Sequence, residues 1–272
     1  MKCIFVDLSG TIYSGTTIIP GALEGIQLLH QSSQFQYCFV SNATSHTRNG
    51  LYDMLCSMGL TFINKEHIFS SGELVKSYLI SKHHNPYYIV EDTLIQDLIQ
   101  SDPSKPYSCV VIGTAESKLN YNYLNQGFKI ILNGGELIGL NMSYYNVRDD
   151  GYNLAAGGFI DLIAKASDIK PTILGKPNPS FFKMVAQLMK YISTSIFTTL
   201  FIHRIDDFND IYMIGDDIVT DIGGIQAVGG HGILVKTGKY REGCEMKQGI
   251  QPDYVANDLY DAVQYLLTTY SS

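Results

Sequence analysis

The chain has 272 residues, 45% of them hydrophobic and 17% charged, and its formal net charge is −7. This is the composition of a globular protein with a substantial apolar core, and the length fits one large or two modest domains. The acidic balance and the lack of a basic stripe in the sequence argue against nucleic acid as a partner. The five cysteines are scattered without a CxxC pair, which indicates reduced side chains instead of a disulfide framework or a zinc site.

The sequence contains no run of about 18 apolar residues, so no membrane-spanning helix is predicted. The first residues enter a strand pattern and reach Asp7 at once, which is unlike a secretory signal. We therefore expect a cytoplasmic protein with no membrane contact.

Apolar runs of strand length alternate with helical periodicity along the chain. Strands are predicted at residues 2–8, 37–40, 68–69, 87–90, 109–112, 137–140, 211–214, 232–235 and 254–255. Helices are predicted at residues 20–31, 45–58, 72–81, 93–100, 120–132, 159–165, 180–191 and 259–267. This alternation favours the α/β class with a doubly wound parallel sheet.

Polar residues stand at the ends of three predicted strands. Asp7 ends the first strand, Ser41-Asn42 ends the second, and Gly215-Asp216-Asp217 follows the strand at 211–214. Parallel sheets bind ligands beyond the carboxyl ends of their strands, so these distant segments are expected to converge at one rim.

Carboxylates gathered at one rim repel each other and need a cation. Asp7, Asp216 and Asp221 are hard oxygen ligands of the kind that Mg²⁺ prefers, usually shared with a substrate phosphate. Lys176, in the stretch GKPNP, can offset negative charge on both carboxylate and phosphate. The sequence therefore predicts Mg²⁺ as a cofactor.

Donors for phosphate oxygens accompany these acids. Ser41, Asn42 and the backbone N–H groups of the turn at residues 7–10 can donate to a phosphate. Phosphoryl transfer needs little more than such positioning and charge neutralisation, and a carboxylate can serve as its nucleophile.

Each feature has a simpler interpretation when it is taken alone. Asp7 would be a turn-capping acid, and Ser41-Asn42 would cap the next helix. Lys176 would be a solvated loop lysine, Asp216-Asp217 a pair of loop acids, and Asp221 a charge at a helix N-terminus. Their order and spacing along one chain favour the functional interpretation.

The segments DLSGT at 7–11, VSN at 40–42, GKP at 175–177 and GDDIVTD at 215–221 occur in that order. Together they resemble the four motifs of the haloacid dehalogenase superfamily of hydrolases, and the likeness extends over nearly the whole chain. The residues between the second and third motifs resemble the α/β cap of its NagD-like branch. The resemblance implies a hydrolase core at residues 1–77 and 173–272, interrupted by a cap domain at residues 78–172.

The resemblance also implies a metal site. Asp7 would be the nucleophile and a Mg²⁺ ligand, and Asp216 would complete the coordination. Ser9 would offer its backbone carbonyl to the metal and, through the same turn, contact the substrate. Asp217 and Asp221 would support the site, with Asp221 as a metal ligand acting through water.

The remaining implied roles concern the phosphoryl group. Lys176 would bridge Asp7 and the phosphate and act with it in catalysis. Leu8 would contact the substrate from the nucleophile turn, and Ser41 and Asn42 would hold the transferring phosphoryl group. The substrate would be a small phosphorylated molecule or an exposed phosphorylated side chain, and a homodimer is expected.

Ser9 departs from the superfamily pattern, because most of its phosphatases carry a second aspartate there. That aspartate protonates the leaving group, a contribution of roughly 10²–10⁴ in rate, and a serine hydroxyl is too weak an acid to replace it. Ser9 therefore favours substrates whose leaving groups need less help, namely phosphoramidates and pyrophosphate. A weakly active or non-catalytic phosphoryl-binding protein is the alternative.

Two further points stay open in the sequence. A dehalogenase or phosphonatase is disfavoured, because the first needs no Mg²⁺ site and cap lysines such as Lys118 and Lys129 stand in no motif. Residues 191–209 are longer than the connection expected there, and we interpret them as a surface insertion or an oligomer contact.

Overall fold

The computed structural model describes residues 2–42, 46–148, 151–194 and 208–270. Within these ranges the strands are, in chain order, β1 Lys2–Asp7, β2 Tyr13–Ser14, β3 Thr17–Ile18, β4 Phe35–Ser41, β5 Ile68–Ser70, β6 Pro86–Ile89, β7 Cys109–Ile112, β8 Glu136–Gly139, β9 Tyr145–Arg148, β10 Gly151–Leu154, β11 Thr172–Ile173, β12 Ile211–Gly215, β13 His231–Val235 and β14 Tyr254–Ala256.

The helices of the same ranges alternate with these strands. They are α1 Ala22–Gln31, α2 Arg48–Ser57, α3 Ser71–Ser81, α4 Asp92–Ile95, α5 Tyr121–Leu132, α6 Gly157–Ser167, α7 Pro179–Thr194, α8 Gly224–Gln226, α9 Cys244–Gln248 and α10 Leu259–Thr269. A π-helical turn at Ile218–Gly223 precedes α8, and short 3₁₀ turns lie at Lys65–His67 and Phe208–Asp210.

The first sheet is parallel throughout, with the strand order β14-β13-β12-β1-β4-β5. Its central strand β1 is buried on both faces. Ile4 and Val6 pack in the cluster that contains α1 and α10, whereas Cys3 and Phe5 pack in the cluster that contains α7. This alternation explains why β1 reads as a continuous apolar run, and it confirms the doubly wound α/β prediction.

The second sheet is also parallel and has the order β11-β8-β7-β6. Apolar residues of α3 cover one face, and those of α5 and α6 cover the other. This sheet occupies much of the predicted cap range 78–172. The domain boundaries themselves stay a prediction, since α3 crosses the proposed limit at residue 77 and β11 spans the limit at residue 173.

Local differences from the sequence prediction have physical reasons. The helix predicted at 93–100 is only Asp92–Ile95, because the chain continues in single turns closed by Asp97 N–H to Leu94 O and Leu98 N–H to Ile95 O. Leu94 and Leu98 are still buried, so the apolar periodicity reports packing without a continuous helix. The antiparallel pairs β2–β3 and β9–β10 lack strong alternation and were not predicted.

The segment at 191–209 is only partly described, because residues 195–207 lie outside the described ranges. The prediction of a surface insertion or an oligomer contact in this segment therefore stays a prediction. Within the ranges that are described, no helix combines the length and apolar character needed to cross a membrane.

Candidate active site

The chemistry-bearing side chains gather where three neighbouring strands of the first sheet end. β1 lies between β4 and β12, and the last residues of the three strands are Asp7, Ser41 and Gly215. Asp216 follows directly after β12. Because the strands run parallel, the structure brings these residues to one edge of the sheet.

Lys176 lies between β11 and α7, and only 1% of its surface is exposed. Its Nζ donates hydrogen bonds to Oδ1 of Asp7 at 2.5 Å, to Oδ1 of Asp221 at 2.7 Å and to the carbonyl of Val40 at 3.2 Å. Burial disfavours the charged amine, but the Asp221 and Asp7 carboxylates outweigh it and raise the pKa of Lys176. The side chain is therefore a fixed cation that orients Asp7.

Asp7, Asp216 and Asp221 are buried, and each offers a carboxylate oxygen within 4.8 Å of the others. Burial, reinforced by the charges of Asp7 and Asp221, raises the pKa of Asp216 well above its ordinary value. Burial also raises the pKa of Asp221 to about 7, although Lys176 opposes that shift. One lysine does not balance three buried carboxylates. The set therefore fits a hard divalent cation such as Mg²⁺.

Asn42 positions Lys176 from the neighbouring strand end. Its Nδ2 donates to the Lys176 carbonyl at 3.0 Å, and its Oδ1 accepts from the Lys176 N–H at 2.8 Å. Asn141, which follows β8 in the second sheet, donates to the carbonyl of Asn42 at 3.0 Å. The Asn42 amide thus fixes the Lys176 main chain, and its predicted contact with a phosphoryl group stays a prediction.

The turn after Asp7 is held by one carbonyl. Leu8 O accepts from the N–H groups of Thr11, Ile12 and Tyr13 at 3.3, 2.8 and 3.2 Å. The Leu8 side chain is fully buried, so any contact of Leu8 with a ligand is limited to its main chain. Ser9 is exposed and lines a cavity above Asp7.

Two glycines approach the Asp216 carboxylate closely. Gly10 has φ +92° and Gly238 has φ +50°, and a Cβ on either one would overlap with Asp216. Only glycine allows both the backbone conformation and the approach.

Gly10→Ala is expected to displace Asp216 and reduce both stability and activity. Gly134→Ala is the matched control, because Gly134 has φ +91° with open space around it. The positive φ alone costs about 1–2 kcal/mol, and crowding adds about 1–3 kcal/mol at Gly10. Urea unfolding and phosphate release would be measured for both variants. Equal stability losses with full activity in Gly10→Ala would show that the close approach is unimportant.

Asp217 is not part of the cluster formed by Asp7, Asp216 and Asp221. Its Oδ1 accepts from the N–H groups of Val219 and Thr220 at 3.0 and 3.1 Å, and its Oδ2 accepts from Lys239 Nζ at 3.0 Å. Although burial opposes the shift, Lys239 and these N–H groups lower the pKa of Asp217. The Asp217 side chain caps the helical turn at Ile218–Gly223.

Lys239 is the clearest residue of the site that the sequence prediction missed. Its backbone N–H donates to Oδ2 of Asp216 at 2.7 Å. Its Nζ donates to Oδ2 of Asp217 at 3.0 Å and to Oγ of Ser143, which follows β8 of the second sheet, at 3.5 Å. Although burial opposes it, the Asp217 and Asp216 charges raise the pKa of Lys239. A lone lysine in the stretch KTGKYR carries no spacing signal, and only the fold places it beside the acids.

A cavity of about 510 Å³ lies above the acid cluster, between the two sheets. Asp7 and Ser41 of the first sheet, Asp216 directly after β12 and Lys176 between β11 and α7 are part of its lining. The second sheet contributes residues that follow its strand ends, among them Glu91, Glu116 and Asn141. The carboxyl ends of both sheets thus face the same space, which is large enough for a small ligand.

Comparisons with known proteins agree with this geometry. A family model described as haloacid dehalogenase-like hydrolase matches residues 4–103, and one described as HAD-hydrolase-like matches residues 173–262. Haloacid dehalogenase-like hydrolase domain-containing protein 2 of Homo sapiens is 34% identical, over 98% of this chain and 96% of its own. Phospholysine phosphohistidine inorganic pyrophosphate phosphatase of Danio rerio is 32% identical, over 98% of this chain and 95% of its own.

Among solved structures, the p-nitrophenyl phosphatase of Archaeoglobus fulgidus superposes with a TM-score of 0.83. The two sequences are 23% identical, and the match covers 97% of this chain and 98% of that one. At this identity the likeness shows the fold, and it extends through both sheets.

The chain belongs to the haloacid dehalogenase-like hydrolase family. It is a phosphatase of that family, as the match along the full chain to a phosphatase relative indicates. The family, the fold class and the enzyme class predicted from the sequence are therefore confirmed.

Proposed function

We propose that the protein is a Mg²⁺-dependent phosphatase that acts through an aspartyl-phosphate on Asp7. One observation carries this proposal: Lys176 Nζ holds the Asp7 carboxylate at 2.5 Å beside Asp216 and Asp221, in the floor of the cavity. A carboxylate so oriented and charge-balanced is suited to nucleophilic attack.

Asp7, Asp216 and Asp221 would hold the metal, with the Ser9 carbonyl as the further ligand expected from the sequence. When bound, Mg²⁺ would neutralise charge on the phosphoryl oxygens and on the carboxylates. Lys176 would supply the second fixed positive charge, since its ammonium group is held beside Asp7.

The reaction would proceed in two displacements. An Asp7 carboxylate oxygen forms a bond to phosphorus while the bond from phosphorus to the leaving group breaks, and the leaving group departs with the electron pair. Water then attacks the aspartyl-phosphate, which releases inorganic phosphate and restores Asp7. Ser41 would donate to the phosphoryl oxygens, and Asn42 would keep Lys176 in place through the contacts described above.

Ser9 would determine the substrate class because it supplies no efficient proton donor to the leaving group. Its hydroxyl cannot protonate a departing alkoxide efficiently, whereas a phosphoramidate nitrogen takes a proton from solvent and phosphate leaves as a stabilised anion. We therefore propose pyrophosphate and phosphoramidates as substrates. A small molecule or a phosphorylated side chain could enter the cavity, which the second sheet would cover as a cap. The homodimer and the cytoplasmic location stay predictions.

The proposal is tested by phosphate release with Mg²⁺ from pyrophosphate, a phosphoramidate and p-nitrophenyl phosphate side by side. We expect cleavage of the first two and weak cleavage of the aryl ester. Faster cleavage of the aryl ester would be consistent with a phosphatase, but it would contradict the preference for pyrophosphate and phosphoramidates that we attribute to Ser9. No cleavage of any of the three would favour the phosphoryl-binding alternative.

Ser9→Asp is expected to raise kcat/KM for an alkyl ester such as glycerol phosphate by about 10²-fold or more, because it supplies the missing general acid. Pyrophosphate should change little, since its leaving group needs no such help. Ser9→Asn is the matched control, with the same shape and no acid, and it should bring no gain. An unchanged rate on the alkyl ester in Ser9→Asp would count against the role given to this position.

A further inference from the structure

The segment between β13 and α9 is bound to the acid cluster through its main chain and one hydroxyl. Thr237 Oγ1 donates a hydrogen bond to the carbonyl of Gly10 at 2.5 Å. The Lys239 N–H donates to Asp216 Oδ2 at 2.7 Å, and Gly238 lies so close to Asp216 that a Cβ would overlap with its carboxylate. The position of Asp216 is therefore tied to the position of this segment.

The side chain of Lys239 extends from this segment to the other side of the cavity. Its Nζ donates to Asp217 at 3.0 Å and to Ser143 Oγ at 3.5 Å. The same ammonium group lies 5.7 Å from the ring centre of Tyr145, the first residue of β9. Only 19% of the Lys239 side chain is exposed, so solvent weakens its contact with the ring only in part.

Arg241 makes a second contact of the same kind. Its guanidinium carbon lies 5.6 Å from the ring centre of Tyr145 and 5.0 Å from that of Tyr152 on β10. The two rings pack edge to face, with their centres 5.6 Å apart. Two cations of one segment thus face a pair of aromatic rings, one ring on each strand of the β9–β10 hairpin.

The β9–β10 hairpin also forms part of the cavity wall. Asn146 and Val147, directly after Tyr145, line the cavity. The chain joins the hairpin to β8 of the second sheet and to α6, which packs on that sheet. A movement of the hairpin away from Lys239 would therefore open the cavity and release the segment that holds Asp216.

We propose that Lys239 is a positioning residue that, with Arg241, binds the β9–β10 hairpin to the segment holding Asp216 and so keeps the cavity closed over the acid cluster. The inference rests on the proposed function for its kinetic test alone. Loss of these contacts lowers the fraction of the protein in the closed form. The apparent KM then rises, because the substrate has to restore that form.

Lys239→Met removes the ammonium group but keeps the main-chain N–H and a stem of similar size. Kinetics are measured with the substrate that is cleaved fastest among pyrophosphate, a phosphoramidate and p-nitrophenyl phosphate. We expect kcat/KM to fall about fivefold to tenfold, mostly through KM. Lys239→Arg should retain part of the wild-type value, since a guanidinium group also binds aromatic rings. Lys236→Met is the matched control, because Lys236 is exposed three residues earlier and does not line the cavity.

A double-mutant cycle separates this role from the ion pair between Lys239 and Asp217. Tyr145→Leu removes the ring and should raise KM about as much as Lys239→Met does. The conservative variant Tyr145→Phe keeps the ring and should restore a low KM. Lys239→Met/Tyr145→Leu should be little worse than either single variant, because both remove the same contact. Additive losses would mean that Lys239 acts through Asp217 alone, and they would overturn the inference.

Amide hydrogen exchange tests the same contact without turnover. In Lys239→Met the amides of β9 and β10 should exchange about fivefold to tenfold faster than in the wild-type protein, since the hairpin opens more often. The amides of α10, which packs on the first sheet, should be unchanged. Unchanged exchange in the hairpin, or an equal increase in α10, would overturn the inference and leave the proposed function intact. Faster exchange confined to the hairpin, with no cleavage of any substrate, would overturn the proposed function and support the contact.

Discussion

Asp7→Asn will abolish turnover of every substrate that the protein accepts, with a loss of about 10⁴-fold or more in kcat. The asparagine amide is not nucleophilic, so the bond from Asp7 to phosphorus cannot form. Its oxygen can still accept the hydrogen bond from Lys176 Nζ, and Lys176 keeps its contacts with Asp221 and Val40. The fold should therefore survive, and a loss of activity can be assigned to chemistry.

The measurement is phosphate release with saturating Mg²⁺, together with thermal unfolding of the same samples. Asp53→Asn is the matched control, since Asp53 is exposed on α2 and does not line the cavity. Retention of more than about a hundredth of the wild-type kcat in a folded Asp7→Asn sample would rule out Asp7 as the nucleophile.

Lys176→Met will reduce stability as well as activity. The substitution keeps an apolar stem of similar size but leaves Asp7 and Asp221 buried without the ammonium group that pairs with both of them. Removing one partner of a buried ion pair costs about 3–5 kcal/mol, because the remaining charges stay desolvated. Activity should fall by about 10²-fold or more, since Asp7 loses its orientation and the phosphoryl group loses a cation.

Urea unfolding of metal-free protein measures the stability loss, and phosphate release measures the activity. Lys183→Met is the matched control, because Lys183 is exposed on α7, seven residues beyond Lys176. Mg²⁺ should restore part of the lost stability, since it supplies positive charge to the same carboxylates. A free energy of unfolding equal to that of Lys183→Met would mean that the buried ion pairs of Lys176 do not stabilise the protein.

Most of the site could be predicted because strand ends in a parallel sheet meet at one edge. Asp7, Ser41 and Asp216 are attached to adjacent strands, so recognising those strands was enough to bring them together. Lys176 and Asp221 came from motif order, since neither stands at a strand end. The structure adds that Lys176 is buried and bonded to both Asp7 and Asp221.

The sequence could not predict the contacts that depend on how segments distant in the chain pack together. Asn42 binds the Lys176 main chain and Asn141 binds Asn42, each across about a hundred residues or more of chain. Lys239 hydrogen-bonds both Asp216 and Ser143, which follows a strand of the second sheet, yet its local sequence has no distinguishing pattern.

The most direct test of the account is to trap the covalent intermediate. Protein turning over pyrophosphate or a phosphoramidate with Mg²⁺ is treated with borohydride, which reduces an aspartyl-phosphate to homoserine, and peptide mass spectrometry locates the change. The account predicts homoserine at position 7, dependent on substrate and Mg²⁺ and absent in Asp7→Asn. Rapid turnover with Asp7 unmodified, or modification at another carboxylate, would contradict it.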